Sequence, residues 1–146
     1  MILYLDTSAL LKKYFKEVAS TEVISMWKEA RAIVTSSVAY AETMASFYRK
    51  KREANINENI FTTIINSFHR DWESFIRVEV NNDLNETIDN LVALYPLRGF
   101  DAIHLASALI IHDTVSEGFL FACFDQRLVR AAKSEGLSNF PANRDL

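Results

Sequence analysis

Residues 2–10 read Ile2-Leu3-Tyr4-Leu5-Asp6-Thr7-Ser8-Ala9-Leu10, a short apolar run that stops at a carboxylate. The run Ile2–Leu5 has the length and the side chains of a buried strand, and the residues after Asp6 favour the start of a helix. In an open α/β sheet, ligands bind at the carboxyl ends of the strands. We therefore expect Asp6 to lie at a ligand-binding edge of a sheet.

The composition is that of an ordinary globular protein. The chain has 146 residues, and we expect a single domain over residues 1–146 with one full hydrophobic core. Its net charge of −3 argues against a protein that coats nucleic acid by bulk charge. The lone cysteine, Cys123, is typical of a reducing compartment, and no apolar run approaches the roughly 20 residues of a membrane span. We expect a cytoplasmic protein that has no contact with membranes.

Short apolar runs alternate with longer segments of helical periodicity. The predicted strands are 2–5, 32–35, 76–80 and 119–124, with a short strand or a tail beyond Gly136. The predicted helices are 8–15, 20–30, 38–52, 58–75, 82–95, 100–112 and 126–135. Ser20 is the expected N-cap of the second helix, and Ser36-Ser37 offers a cap for the third. This alternation predicts parallel βαβ units, and so a three-layer α/β/α sandwich with a mostly parallel central sheet.

Three acids stand at the starts of predicted helices. Asp6 and Asp125 each follow an apolar strand, and Asp101 begins a helix that is apolar nearly all round. Taken singly, each is best explained as a helix cap. The alternative is that the parallel strands and the buried helix bring these carboxylates to one edge of the sheet.

A fourth acid, Glu42, lies on a helix face of small residues, with Val38, Ala39, Ala45 and Ser46 as its neighbours. A carboxylate on such a face leaves water at a cost unless something pairs with it, and a cation is the natural partner. Four carboxylates at one edge would have raised pKa values without cations between them. Mg²⁺ or Mn²⁺ is the expected cofactor, because these hard ions take oxygen ligands and activate water for attack on phosphorus.

Four segments carry a resemblance to a known family: 5–9 (LDTSA), 37–42 (SVAYAE), 101–108 (DAIHLASA) and 124–128 (FDQRL). The chain resembles the PIN-domain nucleases, especially the VapC-like toxins of type II toxin–antitoxin systems. The resemblance implies that Asp6, Glu42, Asp101 and Asp125 bind the divalent metal and support cleavage of single-stranded RNA. It also implies a homodimer and an antitoxin that blocks the site. One departure is Cys123, which stands where family members often have Thr or Ser.

Several other residues have both a structural and a functional interpretation. Thr7 and Ser8 either cap the first helix or hold a substrate phosphate or a metal-associated water. Six basic residues are predicted to lie near the acidic edge: Lys12, Lys13, Arg49, Lys50, Lys51 and Arg52. By default they are solvated cations at helix ends, and the alternative is that they contact RNA phosphates. We interpret His104 as a buried histidine that is hydrogen-bonded to the backbone. A stripe on the fourth helix, containing Ile60 or Phe61 with Ile64, Phe68 and Trp72, is either core or dimer surface.

The predicted function is that of a Mg²⁺- or Mn²⁺-dependent endoribonuclease that hydrolyses phosphodiester bonds of single-stranded RNA, as the toxin of a toxin–antitoxin pair. Three alternatives stay open. The first is a non-catalytic RNA-binding or regulatory module. The second is an Asp-nucleophile phosphotransfer enzyme built on Asp6, and the third is a nuclease that cuts single-stranded DNA.

Overall fold

The structure is a computed structural model and describes residues 1–142. Within this range the strands are β1 Ile2–Leu5, β2 Ala32–Ser36, β3 Ile76–Val78, β4 Phe119–Ala122 and β5 Ser138–Phe140. They form one sheet in the order β3-β2-β1-β4-β5, and every neighbouring pair is parallel. The prediction of a mostly parallel sheet is confirmed. The predicted tail falls partly on residues 143–146, which lie outside the described residues.

Seven α-helices accompany the sheet in the described part of the chain. They are α1 Thr7–Leu10, α2 Ser20–Glu29, α3 Ala39–Ala54, α4 Glu58–Ser74, α5 Asn85–Leu94, α6 Gly99–His112 and α7 Gln126–Ser134. Short 3-10 turns at Leu11–Lys13 and Asn82–Leu84 extend α1 and precede α5. No helix between residues 1 and 142 is both long and apolar enough to span a bilayer.

The pleat of β1 distributes the core over two layers of helices, because successive side chains of a strand point to opposite faces. Ile2 and Tyr4 pack into a cluster with buried residues of α5, α6 and α7. Leu3 and Leu5 pack on the other face, with buried residues of α1, α3 and α4. The result is the three-layer α/β/α sandwich that the alternation of strands and helices predicts.

Two predicted serine caps are wrong. The N-cap position of α2 is Ala19, with a left-handed φ of 70°, and the Ser20 hydroxyl instead accepts from the Glu17 N–H (2.8 Å). The N-cap position of α3 is Val38, which makes no capping bond with its side chain. The Ser36 hydroxyl accepts from the N–H of Val38 (3.3 Å), so it stabilises the turn before the helix. Serine oxygens bond readily to several nearby N–H groups, and the path of the chain selects one.

Only one of the two predicted stripes on α4 matches the buried face of the helix. Ile60 is 58% exposed, whereas Phe61 and Phe68 are buried, so of the two versions of the stripe the one with Phe61 matches the core. Phe61 and Phe68 lie seven residues apart and therefore on one side of the helix.

The strand order places a crevice at the carboxyl end of β1. From β1 the chain moves to β2 and β3 on one side, and it later returns to β4 and β5 on the other. Ligands of open α/β sheets bind at such a switch point. The segments that follow β1, β2 and β4 carry Asp6, Glu42 and Asp125 respectively.

Candidate active site

Asp6 directly follows β1 and is held firmly in place. It is 6% exposed, and its Oδ2 accepts the Ser8 N–H (3.2 Å) and the Ser8 hydroxyl (2.6 Å). The Cys123 thiol donates to the same oxygen at 3.5 Å. The carboxylate therefore caps α1, as expected for this position. Among residues 1–142, Oδ1 accepts no hydrogen bond within 3.5 Å, and its nearest basic neighbour is His104 Nε2 at 3.7 Å.

Glu42 leaves α3 toward β1 and α6. Its Oε1 accepts from the Thr7 hydroxyl (2.8 Å) and from His104 Nε2 (2.7 Å), and its Oε2 has no partner in the described range. Burial raises the pKa of Glu42, but the hydrogen bond from His104, the charge of His104 and the Thr7 hydroxyl more than offset it, so the pKa is lowered. In the described residues Glu42 is thus hydrogen-bonded to a histidine of the same chain, and the divalent cation as its partner stays a prediction.

His104 links the site to the core, and the sequence interpretation of its bonding is wrong. It is buried, as expected, but its ring bonds to side chains rather than to the backbone: Nδ1 lies 2.9 Å from the Tyr4 hydroxyl and Nε2 meets Glu42. Burial lowers the pKa of His104, but the charge of Asp6, the hydrogen bond and charge of Glu42, and the charge of Asp101 raise it above its usual value. His104 follows Asp101 by three residues, a helical spacing that puts both on one face and is the signal for its role.

Asp101 and Asp125 stand at the starts of neighbouring helices. The cap interpretation of Asp101 is wrong, because the N-cap position of α6 is Arg98 and Asp101 lies in the first turn of the helix. Asp125 is the N-cap of α7, where its Oδ1 accepts the Leu128 N–H (3.1 Å). Burial raises the pKa of Asp101, and the charges of Asp125 and Asp6 raise it further. These long-range effects mean that Asp6, Asp101 and Asp125 share one electrostatic environment. Asp101 and Asp125 also line one cavity of about 370 Å³.

Cys123 makes the contacts of a polar residue. Its Sγ accepts from the Asp125 N–H (3.4 Å) and donates to Asp6 Oδ2. Burial raises the pKa of the Cys123 thiol, which keeps the proton that this donation requires. The thiol therefore connects Asp6 with the backbone of Asp125 at the position where family members often have a hydroxyl.

The hydroxyls of Thr7 and Ser8 both donate hydrogen bonds to acids of the candidate site. Thr7 donates to Glu42, and Ser8 donates to Asp6 while accepting from the Phe124 N–H (3.0 Å). Neither is the N-cap of α1, which is Asp6 itself.

The predicted basic residues separate into several groups. Lys12 and Lys50 both pair with Glu17, at 3.3 and 3.2 Å, and with Arg49 they line a cavity of about 310 Å³ beside Ser8. Lys13 instead pairs with Asp71 of α4 (2.6 Å). Lys51, paired with Glu58, and Arg52 line a separate cavity of about 720 Å³ at the turn between α3 and α4. Four of the six predicted cations are therefore already paired with carboxylates of the protein.

The oxygen donors at this edge fit Mg²⁺ or Mn²⁺ in chemistry. In the described range no three His, Cys, Asp or Glu side chains converge closely enough to hold a metal ion by themselves. Mg²⁺ keeps several waters and needs only one or two direct carboxylates, so such convergence is not required. The raised pKa of Asp101 reflects burial together with repulsion from neighbouring carboxylates, and a cation would relieve that repulsion.

Comparison with known proteins extends the resemblance over almost the whole chain. The PIN domain model matches residues 3–134. This chain is 31% identical to each of two proteins of Mycobacterium tuberculosis. They are "Ribonuclease VapC45" of strain CDC 1551 / Oshkosh and "Ribonuclease VapC49" of strain ATCC 25618 / H37Rv. Both alignments cover 99% of this chain and 98% of the relative. On this full-length similarity, and with a parallel sheet that brings its acids to one edge, the chain belongs to the PIN-domain family.

Proposed function

We propose that the protein is a divalent-metal-dependent endoribonuclease that hydrolyses phosphodiester bonds of single-stranded RNA, and that it is the toxin of a toxin–antitoxin pair. The proposal is supported by similarity to two proteins named ribonucleases over nearly their full length. The structural observation that carries it is the approach of the acids to one another: Asp101 and Asp125 line one cavity, and His104 Nε2 lies 2.7 Å from Glu42 Oε1 and 3.7 Å from Asp6 Oδ1. Such a cluster is suited to a metal ion and a phosphodiester, and it has no need of a covalent nucleophile.

In this proposal Asp6, Glu42, Asp101 and Asp125 hold Mg²⁺ or Mn²⁺. When bound, such an ion supplies Lewis acidity, which favours ionisation of water and stabilises charge on phosphodiester oxygens. The chain contributes orientation. Ser8 and Cys123 hold one oxygen of Asp6, and Thr7 and His104 hold one oxygen of Glu42, which leaves the second oxygen of each carboxylate for the cation. Side chains fixed in this way lose little freedom when a ligand arrives.

The decisive experiment measures cleavage of single-stranded RNA by Asp6→Asn and Asp101→Asn. We expect both variants to lose metal-dependent cleavage by about 100-fold or more, because each loses a charge that must offset the cation and the phosphate. Asp89→Asn, on the exposed part of α5, is the matched control and should cleave like the wild type. Circular dichroism would verify that all three variants fold. Full activity in Asp6→Asn and Asp101→Asn, or in excess EDTA, would contradict the mechanism.

The same assays separate the alternatives. A non-catalytic module would bind RNA without cleaving it at any metal concentration. An enzyme that uses Asp6 as a nucleophile would accumulate an acid-labile phospho-aspartate, which mass spectrometry of the acid-quenched protein would detect. Parallel reactions with single-stranded DNA would show whether the sugar matters.

The proposal includes a biological setting. We infer that residues 1–146 act as one domain in the cytoplasm, as a homodimer with no membrane contact, and that a small antitoxin protein blocks the acidic edge. Co-expression with the product of a neighbouring reading frame that encodes a small DNA-binding protein would test this. Co-elution of the two proteins, with loss of RNA cleavage, is the expected result.

A further inference from the structure

Three arginines border the cavity that Asp101 and Asp125 line. Arg98 occupies the N-cap position of α6, and Arg127 and Arg130 lie on the exposed side of α7, three residues apart and therefore on neighbouring positions of one helix face. The Arg130 guanidinium donates to Gln126 Oε1 (3.2 Å), which also lines the cavity.

These arginines have no carboxylate partner in the part of the chain that the structure describes, although two acids line the same cavity. The lysines Lys12, Lys13, Lys50 and Lys51 are all paired. Within residues 1–142, no ion pair therefore competes with an external anion for these three guanidinium groups, although Arg130 also donates to Gln126.

Two of the arginines lie where helix electrostatics disfavour a positive charge. Arg98 is at the N-cap of α6 and Arg127 is in the first turn of α7. The N-terminus of a helix carries a partial positive charge, so a cation there works against the helix. The helix dipoles therefore do not favour arginine at these positions, whereas an anion near the two helix starts would be attracted both to the arginines and to the helix N-termini.

We propose that Arg98, Arg127 and Arg130 bind backbone phosphates of the RNA strand and hold it against the acids. This inference rests on the proposed function and adds its substrate-binding residues. A phosphodiester that approaches four carboxylates is repelled, and nearby cations offset that repulsion. The planar guanidinium donates two parallel hydrogen bonds to a phosphate, which fixes the strand better than a lysine would.

The test is the affinity for a fluorescently labelled single-stranded RNA, measured by anisotropy between about 50 and 200 mM salt. Ca²⁺ replaces Mg²⁺ to slow cleavage, and a gel verifies that the RNA stays intact. Arg98→Gln, Arg127→Gln and Arg130→Gln should each weaken binding several-fold at low salt. Each should also make the slope of log affinity against log salt shallower by about 0.7 for every phosphate that the variant no longer binds.

The matched control is Lys28→Gln. Lys28 is an exposed residue in the last turn of α2, in the opposite helix layer, and has no ion pair within residues 1–142. This variant removes the same charge, so it should leave the affinity and the salt slope close to those of the wild type. Arg127→Lys should retain most of the salt slope, because the charge remains.

Wild-type affinity and slope in all three glutamine variants, or an equal loss in Lys28→Gln, would overturn the inference. Cleavage is scored separately. Metal-dependent cleavage with binding that ignores the arginines overturns this inference alone. Arginine-dependent binding without cleavage overturns the proposed activity and leaves the phosphate contacts in place.

Discussion

His104 joins the buried hydroxyl of Tyr4 to Glu42, a carboxylate of the candidate site. Its ring lies between the Tyr4 hydroxyl and Glu42 Oε1, and it is 1% exposed. Buried polar groups are costly when a partner is removed, since the remaining group keeps its desolvation penalty. The position of Glu42 therefore depends on a residue that need not touch the substrate.

We expect His104→Phe to lower the free energy of unfolding by about 1–3 kcal/mol, because phenylalanine fills the space but leaves the Tyr4 hydroxyl and Glu42 without this partner. Urea denaturation followed by circular dichroism measures the change. His112→Phe, at the partly exposed C-terminal end of α6, is the control and should change stability much less. An unchanged midpoint in His104→Phe would mean that the buried contacts contribute no net stability.

Helices α3 and α4 form a pair whose contact is largely aromatic. Phe68 of α4 packs edge-on against Phe47 of α3 (ring centroids 5.4 Å apart) and against Tyr14 (5.6 Å). This cluster fixes α3 against the 3-10 turn after α1, and α3 carries Glu42. Packing far from the acids thus determines where one of them lies.

At this scale we expect Phe68→Ala to destabilise the protein by about 3–5 kcal/mol, the cost of deleting a fully buried ring. Ile60→Ala, on the same helix at an exposed position, should change stability by no more than about 0.5 kcal/mol. Thermal and urea unfolding of the two variants give the comparison directly. Equal losses would show that the stripe containing Ile60 is buried, for example in a dimer.

In the whole molecule, the strand order creates the acidic edge. Asp6, Glu42 and Asp125 follow three neighbouring strands, and α6 crosses the sheet face to bring Asp101 beside them. Burial, together with the charges of Asp125 and Asp6, raises the pKa of Asp101, so its ionised form is disfavoured in the folded state in the absence of a cation. A ligand that binds only the folded protein should therefore stabilise the whole domain.

We expect Mg²⁺ or Mn²⁺ at about 100 times its dissociation constant to add about 2.7 kcal/mol to stability. For a domain of this size, each kcal/mol of added stability raises the melting temperature by roughly 2–4 °C. Differential scanning fluorimetry with and without the metal measures it. Asp101→Asn should lose most of the increase, whereas Asp89→Asn should keep it. An equal increase in both variants would locate the metal elsewhere.

Much of the fold could be predicted from local pattern. The strand Ile2–Leu5 is apolar on both faces, as a central parallel strand must be, and the helices are marked by their periodicity. The caps could not be predicted in the same way. The hydroxyls of Ser20 and Ser36 each had several possible N–H partners within a few residues. The hydrogen bonds to these partners differ too little in free energy for local sequence to select one.

In the candidate site, too, some residues could be predicted from the sequence and others could not. Asp6 and Asp125 are visible in the sequence because each follows an apolar strand, and Asp101 because it begins an apolar helix. Glu42 is visible because it lies on a helix face of small residues. The partners of those acids required the tertiary structure. His104 meets Glu42 across 62 residues and Tyr4 across 100, and Lys50 meets Glu17 across the α1–α3 contact. Apolar periodicity is a local property of the chain, whereas a hydrogen bond or an ion pair depends on distances that only the packed layers determine.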